Sequence, residues 1–237
     1  MANIKQVLKT NTFTKPFYNF CNKIYTITLT KYVEARRRRN LQKEGLPIIK
    51  NVQNMLTEAG YVFFFDMGTL LGIVREGRLL KHDMDIDLAV VVNSEDDKIR
   101  LKELFAKNGI REKFRYSVDG IGIVEQSFSC RNVKFDINYY YNEGDKDVCY
   151  LMYCEVENKY PDGHQDVVKL VCPHIAETQT VSFQGIEINA PKNPEEYLAV
   201  RYGTNWRIPD KKYIYWKGPS AVLTNYIGYR ESFEKQN

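Results

Sequence analysis

Several features are scarce or missing in this chain of 237 residues, and each absence excludes something. No stretch approaches the run of about eighteen apolar residues that a membrane-crossing helix needs. The opening MANIKQVLKTNTF has no continuous apolar core of the kind a secretory leader carries, so a cytoplasmic protein is the expectation. Cysteine is sparse and odd in number: five residues with no regular framework, which argues for a reducing compartment over a disulfide scaffold. There is no Walker loop, no Gly-x-Ser-x-Gly elbow and no dinucleotide-binding glycine fingerprint. Internal repeats and low-complexity segments are also missing.

What is present is an ordinary globular composition, 43% hydrophobic and 27% charged, in a chain long enough for one sizeable core. The net charge of +4 is unevenly spread. Residues 1–44 carry ten basic side chains, among them Arg36 to Arg39, against Glu34 and Glu44. The rest of the chain is therefore mildly acidic. We read residues 1–44 as a basic arm and residues 45–237 as one domain. From Pro16 to Arg39 the residues Phe17, Phe20, Cys21, Ile24, Tyr25, Leu29, Tyr32 and Val33 recur near helical spacing. Such a basic amphipathic helix either lies on the inner, anionic face of a membrane or packs its stripe on the same protein. Nucleic acid is not the expected partner, because a short basic run without a recognition module does not make a nucleic-acid site.

The domain is organised around Asp66 to Val92, DMGTLLGIVREGRLLKHDMDIDLAVVV. Its second half reads as a strand, with Ile86, Leu88 and Val90 on one face and Asp83, Asp85 and Asp87 on the other. Carboxylates opposite an apolar row need water, basic partners or a metal. Upstream, Gly68-Thr69 and Gly72 flank Leu70-Leu71, so a strand ending in Phe63-Phe64-Phe65 turns tightly into a short helix whose backbone N–H groups can meet a phosphate. A second helix is expected from Ile48 to Ala59, starting after Pro47, and a third capped by Ser94 and Asp97 with Ile99, Leu101, Leu104 and Phe105 as its apolar residues. Asp119-Gly120 and Arg131-Asn132 mark hairpins. The strand from Val133 to Tyr139 buries its odd-numbered residues and leaves Asp136 on the face of Lys134 and Asn138. Pro161-Asp162-Gly163 reads as a turn, Gln184-Gly185 as a further hairpin and Asn193-Pro194 as a helix start.

Gly68-Thr69-Leu70-Leu71-Gly72, then Arg75, then Asp83-x-Asp85-Ile86-Asp87 resembles the signature of LicD-type phosphotransferases, the group that includes fukutin-related proteins. Lys81-His82 stands where that family commonly has Pro-Trp, and Tyr202-Gly203-Thr204-Asn205-Trp206 is similar to its C-terminal Tyr-Gly-x-x-Trp segment. The resemblance runs from about Leu46 to Trp216. It implies an α+β fold with an α/β-type core, in which helices flank a mixed, nucleotidyltransferase-like sheet. It also implies transfer of a phospho-alcohol, such as phosphocholine, from a CDP-activated donor to a sugar hydroxyl of a surface glycan or lipid-linked glycan. Asp85, Asp87 and Asp136 would hold Mg²⁺, with Mn²⁺ as the substitute, and Asp136 faces the pair in the resembled fold. Substrate contacts would come from Gly68, Thr69, Arg75, Arg78, Lys81, His82, Asp83, Tyr202 and Trp206. Two other classes stay open: a nucleotidyltransferase that releases pyrophosphate, and a glycan- or nucleotide-binding protein without turnover. Cys149, Cys154, Cys172 and His174 form a loosely spaced candidate zinc set.

Overall fold

The structure is a computed structural model that describes residues 15–156, 159–160 and 163–233. The expected turn residues Pro161 and Asp162 lie outside the described residues. In chain order the elements are α1 (Lys15–Glu58), β1 (Val62–Phe65), α2 (Met67–Glu76), β2 (Asp85–Val91), α3 (Glu95–Lys107), β3 (Arg111–Val118), β4 (Gly122–Cys130), β5 (Val133–Glu143), β6 (Lys146–Tyr153), β7 (Gln165–Pro173), β8 (Thr178–Phe183), β9 (Ile186–Pro191), α4 (Pro194–Tyr202) and β10 (Ala221–Ser232). Helix and strand are mixed, as expected for an α+β fold.

The main sheet runs β1-β2-β5-β4-β3-β10-β7-β6, and β6 also pairs with β5. Strand β5 thus serves twice: Val133–Asn138 pairs with β4, and Tyr141–Glu143 with β6. The second pairing curls the sheet into a ring closed at β5, which the hairpin signals alone did not reveal. Only β2 and β5 are parallel neighbours among the described strands, and their register sets Asp85 beside Lys134 and Asp87 beside Asp136. Three apolar clusters follow. Ile86, Leu88, Val90, Phe128, Phe135 and Ile137 face α3 and the second half of α1. Phe64, Leu70, Ala89, Tyr140 and Leu198 fill the space under α2 and α4. Val118, Val124, Met152 and Val167 fill the ring. Full burial of each large side chain contributes about 1.5–3 kcal/mol, so these clusters hold β2 and β5 in place as a platform.

The N-terminal helix differs from the expectation of two helices broken before Ile48. It is continuous, with Pro47 inside it. Proline removes one N–H and crowds the carbonyl four residues back. Here both Pro47 and Lys43 are exposed, so water can take up the freed carbonyl, while Leu41, Ile48, Ile49 and Val52 are buried on the other side. Gly45, which looked like a boundary, is a packing residue: a Cβ there would stand 2.7 Å from Leu79 Cδ1. Contact with the body begins near Leu41, so the expected division at residue 44 coincides with no break in secondary structure.

Helix α3 has the expected start, a reciprocal Ser94–Asp97 capping box. Its buried face is different. Ile99 is 50% exposed, and Lys98 takes the inner position. Its ammonium donates to the Ile123 carbonyl (2.6 Å) and the Tyr141 hydroxyl (2.9 Å), pairs with Glu95, and lies over the Tyr139 and Tyr141 rings. Periodicity of apolar residues cannot foresee a lysine whose charge is satisfied by a carbonyl, a carboxylate and two ring faces.

Candidate active site

Strand β1 ends at Phe65 against Leu88 of β2, and the chain turns through Asp66 into α2. Two bonds tie this turn to the acidic strand. The Asp66 N–H donates to the Asp87 carbonyl (3.1 Å), and the Asp87 N–H donates to Thr69 Oγ1 (2.9 Å). The start of α2 is thereby pinned beside the carboxylates. Gly68 is required by proximity: a Cβ there would meet Asp83 Oδ2 at 2.7 Å. Gly72 lets α2 pack on the return loop, since a Cβ would lie 2.7 Å from the Arg78 carbonyl oxygen and 2.9 Å from Leu80 N. Thr69 is fully buried. Thr69→Val keeps its shape but leaves the Asp87 N–H without an acceptor, so we expect a loss of about 1–3 kcal/mol. Thermal denaturation should show this as a melting temperature lower by about 3–8 °C, and an unchanged melt would mean that the hydroxyl bears no such bond.

The parallel register brings Asp85, Asp87 and Asp136 to one end of β2 and β5. Asp83 precedes β2 in a turn instead of extending the strand, yet its carboxyl joins the same group. Burial is the main cause of its pKa rise to about 6, with Asp85 adding to it and His82 opposing it. Burial likewise pushes Asp87 well above the ordinary carboxylate range, reinforced by Asp85, Asp136 and Asp83. Asp136 is raised by burial, against the pull of Lys134. Lys134 is the cation of the cluster: its Nζ lies 3.1 Å from Asp85 Oδ2 and 2.7 Å from Asp136 Oδ2. Burial alone would depress it, but Asp136 and Asp85 hold it protonated, above the usual lysine range. No three His, Cys, Asp or Glu side chains converge as a ready-made metal cage among the described residues. The donor chemistry nonetheless suits a hard divalent cation. Several carboxylates repel one another, and a positive charge already sits between two of them.

The basic residues of the motif are less open than expected. Arg75 is nine-tenths buried and divides its guanidinium between Glu76 (3.1 Å) and the Trp206 carbonyl (3.3 Å). Arg78 forms a fork on Glu76 (3.1 and 3.0 Å). Lys81 and His82 are exposed, with His82 Nε2 3.6 Å from Asp83. Tyr202 is half-buried against Tyr213, ring centroids 4.9 Å apart. Burial raises its hydroxyl well above the usual range, with Asp66, Tyr213 and Asp87 adding to the shift. Trp206 is 5% exposed and belongs to the cluster under α2 and α4. Its indole, expected as a substrate contact, packs in the core, and its carbonyl is what meets Arg75. The candidate zinc set is not brought together: Cys154 is exposed, Cys172 Sγ donates to the Asp147 carbonyl (3.3 Å), and His174 Nδ1 contacts Asp147 (3.1 Å).

Three residues of the cluster escaped the sequence reading. Ser127 of β4 lies directly opposite Asp136, and its hydroxyl donates to Oδ1 at 2.6 Å. Glu125, two residues earlier on the same strand, is pushed up to about 8 by burial, with Asp136 adding to the shift. Tyr116 of β3 pairs with Glu125, and burial raises its hydroxyl too. Alternation along β4 was the available signal, since a strand facing Asp136 must aim every second side chain at it. A cleft of about 570 Å³ lined by His174, Lys192, Glu196 and Tyr197 includes none of these carboxylates.

The family model "LicD/FKTN/FKRP, nucleotidyltransferase domain" matches residues 60–193, from before Gly68 to beyond Asp136 and short of Tyr202. The chain is similar to ribitol-5-phosphate transferase FKTN of Macaca fascicularis, 27% identical over 196 residues that cover 82% of this chain and 39% of the relative. The human protein of that name is 26% identical over the same extent, and the Mus musculus protein 25% over 191 residues, 78% of this chain and 38% of the relative. The chain thus spans about two-fifths of the length of the curated relatives it matches. With the motif, its placement and more than half of the chain in agreement, the protein belongs to the LicD/FKTN/FKRP nucleotidyltransferase-domain family.

Proposed function

We propose that the protein transfers a phospho-alcohol from a CDP-activated donor to a glycan hydroxyl and releases CMP. The observation that carries this reading is the pairing of Asp87 with Asp136 in parallel register, with Asp85 two residues before on the same edge. Phosphoryl transfer asks mainly for positioning and charge stabilisation, and this edge concentrates both. Asp85, Asp87 and Asp136 are the residues that would hold Mg²⁺. When bound, such an ion neutralises charge on the donor diphosphate.

The rest is the work of the chain's own groups. The exposed Lys81 and His82 approach the diphosphate first, and Arg78 reaches it by leaving Glu76. Arg75, held by Glu76 and the Trp206 carbonyl, positions the loop that carries Asp83. The acceptor oxygen attacks the phosphorus that bears the alcohol, and the bond from that phosphorus to the CMP oxygen breaks. The acceptor proton passes to a carboxylate of the cluster. Asp136, as the alternative to its metal role, or Glu125 of the neighbouring strand would receive it. Ribitol phosphate is the first group to test, because the relatives are named for its transfer.

The test is to incubate the full chain with Mg²⁺ and CDP-ribitol, CDP-glycerol, CDP-choline or CDP-ethanolamine, with and without glycan extract. We expect acceptor-dependent CMP from one donor and a phosphodiester on the glycan. Release of the alcohol phosphate with CMP left on the acceptor, or release of pyrophosphate when CTP replaces the CDP-alcohol, would select the nucleotidyltransferase class instead. Donor binding without any release would mark a binding protein.

A further inference from the structure

Among the described residues, the first half of α1 has no partner in the body. From Asn19 to Val33 every residue is exposed. Phe20 is 62% exposed, Tyr25 and Tyr32 are each 66%, Ile24 is 49%, and Ile27 and Leu29 are each 46%. The side chain of Phe17 lies outside the described ones. Along a helix, Phe20, Cys21, Ile24, Tyr25 and Tyr32 fall on one side, and Asn22, Thr26 and Thr30 on the other. An apolar stripe of this size left in water marks a contact surface. Helices gain most of their stability from packing such a stripe, so this one is built to meet something.

We infer that residues 16–39 dock on an anionic lipid bilayer, lying along it with the aromatic stripe inward. Charge selects this occupant. No Asp or Glu occurs from residue 15 to residue 33, where Lys23 and Lys31 extend from the helix, and Arg36 to Arg39 follow at its exit from the body. Among the described residues, Arg38 alone of that run has its charge met on the helix, by Glu34 at 2.7 Å. Lys31 falls within the stripe, between Phe20 and Ile24 in helical projection, where a long aliphatic stem can lie among apolar groups while the ammonium reaches up to a headgroup. Tyr25 and Tyr32 have the same two-sided character. No described helix is long and apolar enough to cross a membrane, so the geometry is that of a helix lying on the surface.

The exit point gives this contact a purpose. Gln42 Nε2 donates to the Leu80 carbonyl (3.3 Å), at the head of the loop that leads to Asp83 and Asp85. Asn40 Nδ2 donates to the Asn132 carbonyl (3.4 Å), and Arg131 approaches Glu44 (3.6 Å), just before Lys134 and Asp136. The projecting segment, about 36 Å long at 1.5 Å per residue, therefore leaves from the end of the sheet that bears the carboxylates. If the transfer reading holds, the acceptor is one carried on a lipid at that surface.

The full chain would be sedimented with vesicles of phosphatidylcholine alone or with about 30 mol % phosphatidylserine, with no donor present. We expect binding to the anionic vesicles only, weakening as salt rises from about 0.1 M to about 0.5 M. Changing Arg36 to Arg39 to Ser should weaken binding by on the order of 10²-fold. Phe20→Asp with Ile24→Asp should abolish binding while leaving the melting temperature unchanged, because these side chains touch nothing in the body. Equal binding to neutral vesicles, no binding at low salt, or retention by the Phe20/Ile24 variant would overturn the inference. So would a concentration-dependent dimer that the same variant disrupts. Since binding is read without donor, a failed transfer assay leaves this result standing, and failed vesicle binding leaves the transfer reading standing.

Discussion

Asp87→Asn is expected to abolish transfer and, in EDTA, to melt at a higher temperature than the parent protein. Burial and three neighbouring carboxylates oppose ionisation of Asp87, and no side chain pairs with it directly among the described residues. Lys134 is spent on Asp85 and Asp136. Removing the charge at 87 relieves repulsion at no cost in ion pairs. About 1 kcal/mol of relief corresponds to about 2–4 °C at this size. Asp85→Asn and Asp136→Asn each take a partner from Lys134 and should gain nothing or lose slightly. All three should lower transfer by on the order of 10²-fold or more, since each removes charge from the same unit.

The pH dependence follows from the direction of the shifts. Asp83, Asp87, Asp136 and Glu125 all have folded values above their unfolded ones. Their contribution to stability is fully present below the unfolded values, near pH 4, and is lost as pH rises through the folded ones, about 6 for Asp83 and about 8 for Glu125. Metal-free protein should therefore lose stability between about pH 4 and pH 8, and Asp87→Asn should show a shallower loss. Mg²⁺ should raise the parent's melting temperature at neutral pH and that of Asp87→Asn much less. A parent curve flat across this range in EDTA, or near-normal turnover by Asp87→Asn, would remove the cluster from the mechanism.

How much of this was legible in the sequence differs by element. The acidic strand was readable because an apolar row alternating with Asp85 and Asp87 has one physical solution, a buried face and a polar edge. Asp136 was readable through the same alternation in Val133 to Tyr139. Glu125 and Ser127 were missed although the Arg131-Asn132 hairpin already sets β4 beside β5: alternation offers two faces, and only the register, with both turn residues at positive φ, puts Ser127 opposite Asp136. The double pairing of β5 is a long-range event with no local signal. Lys98 and Trp206 show the limit of composition: a lysine can be inside when three polar groups and two rings receive it, and a tryptophan in a motif can be packing. Pro47 misled because a helix breaker is tolerated where its exposed side carries the lost bond.

The residue with the largest expected effect on folding is Asp66, which stands one position before α2. It is fully buried, and its carboxylate accepts from Tyr140 Oη (2.6 Å), Tyr197 Oη (2.9 Å) and Arg201 Nη2 (3.3 Å). The side chain of Arg201 is 3% exposed, and its Nη1 has no hydrogen-bond partner. Asp66 is thus the counter-charge of a guanidinium that cannot reach water. Asp66→Asn leaves that charge uncompensated and turns a donating amide toward hydroxyls that need an acceptor. Breaking one side of such a pair costs about 3–5 kcal/mol, which at this size lowers the melting temperature by about 10 °C or more. Arg201→Met should cost less, because two tyrosine hydroxyls still serve the carboxylate. The double variant should be more stable than the sum of the two single losses implies, since the second change removes the charge stranded by the first. Transfer should fall with Asp66→Asn even at temperatures where the protein stays folded, because the Asp66 N–H holds the Asp87 carbonyl and a shifted turn moves the whole acidic edge. An Asp66→Asn protein melting within about 2 °C of the parent would mean that Arg201 finds its compensation elsewhere, and the turn would then owe its place to the backbone bond with Asp87 and to Thr69.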